Sequence, residues 1–236
     1  MGLLPSSLGE GRLMHGSNPT IMLAGASIAI VDDHQIVAQA LQLLVDGHGA
    51  TSEVFTSGEA LLKRLPESTW HLILLDLSMP GMSGLEVLEE LRSRRCDIAV
   101  LVVSMHDNPA YVRRSLDLGA RGYVRKDASA DQLLEAIDKA THGLPAISQD
   151  AARCLIARQR GTKPFPSRAE ILVLREVLQG HRARDIAVAL GISKRTVESH
   201  KARLMQYYQV RSTLELIRCA EDDGLVRPPA SPKMNV

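Results

Sequence analysis

The sequence predicts two domains in series, an α/β domain with a five-stranded parallel sheet and a smaller all-helical domain. Short apolar runs alternate with amphipathic segments from Ser27 to about His142, which is typical of repeated βαβ units. Between Gly143 and Pro166 this periodicity fades and glycines and prolines accumulate, which favours a linker. Beyond Ser167 the apolar residues have helical spacing, and no strand-like run separates the helices.

The first domain is predicted to contain five strands, each followed by a helix. The third and fourth strands are continuous Leu, Ile and Val runs, as expected for strands buried on both faces. The strands are Ile28–Val31, Ser52–Phe55, Leu72–Leu75, Val100–Val103 and Gly122–Val124. The helices have apolar residues three and four positions apart. They span about His34–Asp46, Gly58–Leu65, Gly84–Ser93, Pro109–Leu118 and Ala130–His142.

The second domain is predicted to contain four helices, and a short helix at Asp150–Ala157 is expected within the linker. The four helices are Ser167–Leu178, Ala183–Leu190, Ser193–Tyr208 and Thr213–Ala220. The ends of the chain are rich in glycine, serine or proline and are expected to be disordered. The predicted division is a leader at 1–25, an α/β domain at 26–143, a linker at 144–165, a helical domain at 166–226 and a tail at 227–236.

Composition excludes several classes of protein. With 45% hydrophobic and 23% charged residues, the chain is neither fibrous nor intrinsically disordered. Its three cysteines, Cys96, Cys154 and Cys219, are odd in number and far apart, which favours a reducing compartment and a structural role over a disulfide framework or metal site. The apolar stretch Ile21–Val31 is too short to cross a bilayer. We therefore expect a cytoplasmic protein that does not enter the membrane.

Charge is divided unevenly along the chain. Residues 1–163 contain 16 Lys/Arg and 19 Asp/Glu, whereas residues 164–236 contain 12 and 8. The first part is thus slightly acidic and the second is basic, so the two parts suit different partners.

Polar residues follow four of the predicted strands. Asp32 and Asp33 follow the first strand, Asp76 the third and Ser104 the fourth, and Lys126 comes shortly after the fifth. Carboxyl ends of parallel strands meet at one crevice, so these side chains are expected to lie together. A lone aspartate after a strand is usually a helix cap or turn residue. Five residues of suitable type at the expected strand ends favour a functional site instead.

Three ionised carboxylates in one crevice repel each other unless a cation lies among them. Mg²⁺ fits best, because it takes oxygen ligands and is commonly held by one or two carboxylates with waters and phosphate oxygens. A carboxylate held against Mg²⁺ can attack a phosphoryl group. Lys126 would neutralise charge on the transferred oxygens, and Ser104 could donate a hydrogen bond to one of them.

The segment from about Ser27 to His142 resembles the CheY-like receiver domains of two-component response regulators, which have a flavodoxin-like fold. The resemblance lies in four motifs: the acidic pair Asp32-Asp33, the stretch LILLDLSMPGMSG from Leu72 to Gly84, the hydroxyl of Ser104, and GYVRK from Gly122 to Lys126.

This resemblance implies specific roles for the site residues. Asp76 would accept a phosphoryl group from a sensor histidine kinase. Asp33 and Asp76 would ligate Mg²⁺ with the Ser78 carbonyl, and Asp32 would contribute through water. In addition, Lys126 would bind phosphoryl oxygens, and Ser104 and Tyr123 would form a hydroxyl–aromatic switch that reports phosphorylation.

In the second domain, Ala183–Leu190, a turn at Gly191 and Ser193–Tyr208 predict a helix-turn-helix unit. Glycine suits the left-handed end of a helix, and serine suits the N-cap of the next. A charged helix face is usually only solvated, but the turn pattern and basic charge favour DNA binding. Phosphate or groove contacts are assigned mainly to Lys194, Arg195, Lys201 and Arg203, and base or backbone contacts to Thr196, Glu198 and Ser199.

The region from roughly Pro166 to Ala220 resembles the LuxR-type output domain of the NarL/FixJ group of regulators. Matching positions include Glu170, Gly180, Asp185-Ile186-Ala187, Leu190-Gly-Ile-Ser193, Thr196-Val197, His200 and Glu215-Leu216. Three positions depart from the group: Ala169 replaces the usual Arg, Leu172 the usual Glu, and Glu198 a commonly basic residue. Base preference therefore stays open. The resemblance implies that Thr213–Ala220 supports a phosphorylation-linked homodimer on paired promoter half-sites.

Together these features predict a phosphorylation-dependent DNA-binding transcription regulator and not an enzyme. An alternative is a phosphohydrolase of the haloacid dehalogenase type, but that mechanism needs an aspartate two residues after the nucleophile, where this chain has Ser78. Another alternative keeps DNA binding and makes the first domain a dimerisation module without phosphorylation. The intact set of acidic, hydroxyl and lysine residues argues against it.

Overall fold

The computed structural model describes residues 21–106, 108–148, 151–152, 165–223 and 226. Within them the first domain is built on a parallel sheet with strand order β2-β1-β3-β4-β5-β6. The strands are β1 Ser27–Val31, β2 Thr51–Phe55, β3 Leu72–Leu75, β4 Ala99–Ser104, β5 Gly122–Arg125 and β6 Ala146–Ile147. β3 is buried along its whole length, as expected for a central strand covered on both faces.

Helices cover both faces of this sheet, which gives a doubly wound fold. They are α1 Gln35–Gly47, α2 Gly58–Arg64, α3 Gly84–Ser93, α4 Pro109–Asp117 and α5 Ala130–Thr141, with a 3-10 turn at Leu65–Glu67 after α2. Leu61 of α2 and Leu88 of α3 pack in the core on one face. Leu41 of α1 and Ile137 of α5 pack in the core on the other.

The second domain is a compact group of helices with its own apolar centre. The helices are α6 Arg168–Leu178, α7 Ala183–Leu190, α8 Lys194–Tyr208 and α9 Thr213–Asp223. Each contributes a fully or almost fully buried side chain: Leu174, Ile186, Val197 and Leu216. Ser167 fixes the start of α6 through a capping box with Glu170.

The two domains contact each other through α3 and α4 of the first and the start of the second. The ring of Tyr111 in α4 meets the edge of Phe165, with ring centroids 5.2 Å apart. Nη2 of Arg175 in α6 lies 2.9 Å from Oε2 of Glu86 in α3. An aromatic contact and an ion pair therefore join the domains.

The predicted α/β and helical elements are confirmed to within a few residues at their ends, and the structure adds one strand. β6 lies in the predicted linker and pairs with β5, where Gly122 faces Ala146. A Cβ on Gly122 would come 2.1 Å from the Ala146 carbonyl oxygen, so the close pairing depends on glycine. The five-stranded sheet is thus extended by a two-residue edge strand.

The first domain also begins earlier than predicted. Leu23 is buried, and its backbone N–H donates to the His48 carbonyl at 2.7 Å. The end of the predicted leader is therefore held by the core. The predictions for residues 1–20 and for the tail from 227 lie outside the described residues, and the predicted helix Asp150–Ala157 is described only at 151–152, which are helical.

Two of the three cysteines fall in the described part of the chain. Cys96 and Cys219 are free thiols there, whereas Cys154 lies outside it. Among the helices described, none combines the length and apolar character that crossing a bilayer requires.

Candidate functional site

The carboxyl edge of the sheet brings the predicted acidic and basic residues together. The parallel hydrogen bonding continues past the strands, since Asp76 N–H donates to the Val31 carbonyl at 2.9 Å. Lys126 N–H donates to the Ser104 carbonyl at 3.0 Å. Backbone pairing therefore fixes these residues side by side, as the crevice argument predicts.

Lys126 bridges two carboxylates in this crevice. Its Nζ lies 2.6 Å from Oδ2 of Asp32 and 2.9 Å from Oδ2 of Asp76. The side chains are almost completely buried, with 8% of Lys126 and 2% of each aspartate exposed. Such a group is a buried charge cluster, in which removing one partner is costly.

The same crevice has a ligand set suited to a divalent cation. Ligand atoms of Asp32, Asp33, His34 and Asp76 all lie within 4.8 Å of one another. Both carboxylate oxygens of Asp76 are buried, and within the described structure neither accepts a hydrogen bond, although Lys126 is at ion-pair distance. Buried carboxylate oxygens directed at a shared space are what a hard cation needs.

His34 also belongs to this group, although the sequence pattern does not predict it. Its Nδ1 lies 3.3 Å from Oδ1 of Asp32 and 3.2 Å from Oδ1 of Asp33. Its backbone N–H also donates to Oδ1 of Asp32 at 2.9 Å. The only signal in the sequence is its position directly after the acidic pair.

The predicted switch residues are both buried and meet at His106. Ser104 Oγ accepts from the His106 backbone N–H at 3.3 Å, and Tyr123 Oη donates to the His106 carbonyl at 3.0 Å. Ser78, the predicted carbonyl ligand, lies at the same place, because its Oγ is 2.5 Å from His106 Nε2. The loops after β3 and β4 are therefore linked through one histidine that the sequence analysis did not identify.

In the helical domain, the turn between α7 and α8 has the predicted chemistry. Gly191 ends α7 with φ of 65°, a left-handed conformation that favours glycine. Ser193 caps α8 by accepting from the Thr196 N–H at 3.0 Å. Val197 and Leu204 of α8 point into the core. This arrangement directs the opposite face of α8 outward.

The predicted DNA-contacting residues lie mainly on that outward face. Exposed members are Lys194, Arg195, Glu198, Ser199 and Arg203, whereas Thr196 and Lys201 are half-buried. The leading turns of α8 are thus largely open to solvent. Three of the set take part in ion pairs: Lys201 Nζ lies 3.7 Å from Oε2 of Glu198, and Arg203 Nη1 lies 3.5 Å from Oε1 of Glu170.

Glu170 connects the start of α6 to α8. Burial opposes its ionisation, but hydrogen bonds from the Ser167 backbone and hydroxyl and from Arg203, with the nearby His200, hold the pKa of Glu170 below its usual value. Its Oε2 accepts from Ser167 N–H at 2.8 Å. The ionised carboxylate therefore stabilises the packing of α8 on α6.

Replacing Glu170 with glutamine should remove this charge and keep an acceptor for Ser167. Because the folded-state pKa is lowered, the stabilisation is present above the unfolded-state pKa of about 4.3. It is lost as pH falls through the lower folded-state value. We expect Glu170→Gln to be less stable than the wild type at pH 7, with the difference shrinking below about pH 4. Urea unfolding followed by circular dichroism at both pH values measures it, and a pH-independent difference would contradict it.

Comparisons with known proteins agree with both the acidic crevice of the first domain and the helix-turn-helix of the second. Residues 28–138 match the family of response regulator receiver domains, and residues 167–220 match the luxR family of bacterial regulatory proteins. The transcriptional regulatory protein UhpA of Escherichia coli is 35% identical over 196 residues, covering 81% of this chain and 96% of UhpA. The DNA-binding transcriptional activator EvgA of the same species is 29% identical and covers 81% of this chain and 96% of EvgA.

A solved structure has a similar fold across both domains. RcsB from Salmonella enterica serovar Typhimurium, bound to promoter rprA in the presence of phosphomimetic BeF3⁻, is 26% identical with a TM-score of 0.65. It covers 83% of this chain and 98% of the RcsB chain. The predicted fold class and the predicted class of transcription regulator are thereby confirmed. This chain belongs to the two-component response regulators of the NarL/FixJ group, in which a receiver domain is joined to a LuxR-type DNA-binding domain.

Proposed function

We propose that Asp76 accepts a phosphoryl group from a sensor histidine kinase and that the acyl phosphate favours a homodimer that binds promoter DNA. The main support is the buried carboxylate of Asp76 beside the Lys126 ammonium, in a chain that also exposes a helix-turn-helix surface. Phosphorylation would stabilise the dimeric, DNA-binding state more than the inactive state. The population of molecules would then shift toward the DNA-binding state.

The transfer step uses Asp76 as the nucleophile. A carboxylate oxygen of Asp76 attacks the phosphorus of a phosphohistidine on the kinase. The new O–P bond forms as the P–N bond breaks, and the bonding electron pair stays on the imidazole nitrogen. Lys126, now 2.9 Å from Asp76, would pair with a phosphoryl oxygen, and Ser104 would donate a hydrogen bond to another.

Mg²⁺ is the proposed cofactor of this step. Asp33 and Asp76 would hold it with the Ser78 carbonyl, and Asp32 would act through a bound water. When bound, the ion neutralises negative charge on the oxygens around the phosphorus. The buried acidic oxygens of the crevice support this assignment.

DNA binding is assigned to α8, which would enter the major groove. Its four basic candidates, Lys194, Arg195, Lys201 and Arg203, would contact mainly phosphates, and Thr196, Glu198 and Ser199 would contact bases or the backbone. Helix α9 would form the dimer contact that places two copies on paired half-sites. Its Leu214, which is 69% exposed, would take part in that contact.

The proposed domain division is a receiver that runs from Leu23 through β6 at Ala146–Ile147 and an output domain at 166–226, joined by the residues that follow β6. Both family matches lie inside these domains. A protein that regulates transcription acts where the DNA is, so we place its action in the cytoplasm.

Asp76→Asn should abolish the response to phosphorylation. The amide cannot form an acyl phosphate, so a small phosphodonor with Mg²⁺ should raise the DNA affinity of the wild type by about tenfold or more and leave the variant unchanged. Mass spectrometry of the acyl phosphate and fluorescence anisotropy with promoter DNA measure the two effects. Asp127→Asn is the matched control, because Asp127 pairs with Arg125 at the surface. Equal gains for wild type and Asp76→Asn would refute the proposal.

A further inference from the structure

With other residues that the structure describes, His106 makes four contacts that join separate parts of the molecule. Its backbone N–H and carbonyl bond to Ser104 Oγ and Tyr123 Oη, at 3.3 and 3.0 Å. Its Nε2 lies 2.5 Å from Ser78 Oγ. Its ring stacks on Tyr111 with centroids 4.3 Å apart and planes inclined by 5°. The backbone of this residue thus meets the switch pair, and its ring meets α4.

The aromatic contact continues out of the receiver. The buried ring of Tyr111 meets Phe165 at 5.2 Å and 80°, in an edge-to-face arrangement. Phe165 in turn lies 6.2 Å from the ring of Tyr207 in α8. A continuous series of ring contacts, which we call the aromatic series His106–Tyr111–Phe165–Tyr207, therefore runs from the phosphorylation site to the DNA-binding helix.

We propose that His106 is a positioning residue that transmits the state of Asp76 to the output domain through this aromatic series. The proposal rests on the phosphorylation of Asp76 proposed above. His106, Tyr111 and Phe165 lie outside the receiver motifs and the helix-turn-helix unit.

The physical step is a displacement of the residue 106 backbone. When Ser104 Oγ turns to a phosphoryl oxygen, its contact with the His106 N–H changes. Tyr123 Oη donates to the His106 carbonyl. A rearrangement of the Ser104 and Tyr123 side chains therefore displaces the backbone of residue 106. The His106 ring then slides on Tyr111, because packed aromatic rings favour discrete offset geometries. That motion changes the packing of Phe165 against Tyr111 and hence the position of the output domain.

His106→Ala and His106→Phe separate the two kinds of contact. Alanine removes both the stacking ring and the Ser78 contact, whereas phenylalanine restores a stacking ring without the Ser78 contact. The measured quantity is the DNA affinity with beryllofluoride and Mg²⁺ divided by the affinity without them, for the full chain. We expect this ratio to be roughly three- to tenfold smaller for His106→Ala, the range that one aromatic pair supports. His106→Phe should recover most of it.

Phe165→Leu tests the aromatic series outside the receiver, where Phe165 links Tyr111 to Tyr207, and does not depend on how well position 106 tolerates alanine. It should also lower the ratio, while the amount of acyl phosphate formed with a small phosphodonor stays at the wild-type level. A wild-type ratio in folded His106→Ala, or in Phe165→Leu, would overturn the inference. A wild type with no gain at all would instead overturn the proposed function, so the two failures are distinguishable.

Discussion

Lys126→Met is expected to lower the free energy of unfolding of the receiver by about 3 kcal/mol in metal-free buffer. Methionine keeps an unbranched apolar stem but removes the ammonium that lies between Asp32 and Asp76, at 2.6 and 2.9 Å. Two buried carboxylates would then face each other without compensation. Urea unfolding followed by fluorescence of the single tryptophan, Trp70, measures the loss, since this residue is buried in the receiver.

Millimolar Mg²⁺ should restore much of the stability lost in Lys126→Met, because a cation that binds only the folded state stabilises it by mass action. Lys139→Met is the matched control. Lys139 also pairs with a carboxylate at 2.6 Å, but it is 45% exposed and its partner Glu135 is 60% exposed. Such surface pairs contribute about 0.5 kcal/mol. Equal losses for the two variants, or a loss in Lys126→Met that Mg²⁺ leaves unchanged, would contradict the charge-cluster interpretation.

The position of this cluster was predictable because a parallel sheet converts sequence position into spatial position. The apolar run Leu72–Leu75 is buried throughout as β3, so the residue that follows it must lie at the carboxyl edge. The same reasoning places Asp32 after β1 and Ser104 at the end of β4. Residue type and strand boundary together were sufficient there, because backbone hydrogen bonds fix the relative height of adjacent strands.

Contacts made across the fold could not be predicted in the same way. His106 lies in the loop after β4, and nothing in its local sequence indicates that its ring stacks on Tyr111. Phe165 falls in the predicted linker, yet it packs against the same tyrosine at the start of the second domain. The ion pair between Arg175 and Glu86 spans 89 residues. These contacts depend on how the domains pack, which hydrophobic periodicity does not encode.

Gly84→Ala is expected to destabilise the receiver by about 2–3 kcal/mol and to weaken Mg²⁺ binding. A Cβ at this position would come 2.1 Å from the Asp76 carbonyl oxygen and 2.8 Å from the Leu77 Cα. Both neighbours are backbone atoms, so they cannot yield as a flexible side chain would. Helix α3 is held in place by the Ser83–Glu86 capping box. The clash is therefore expected to displace the backbone that carries Asp76.

Gly47→Ala makes the same chemical change where there is room for it. Gly47 is the last residue of α1, and a Cβ there would meet nothing within 4 Å. Alanine in a helix is favoured over glycine, so this variant should gain about 0.5 kcal/mol. Urea unfolding monitored at Trp70 and calorimetric titration with Mg²⁺ should separate the variants in both stability and affinity. If Gly84→Ala were as stable as Gly47→Ala and bound Mg²⁺ equally well, the close approach of α3 to Asp76 would not control the geometry of the site.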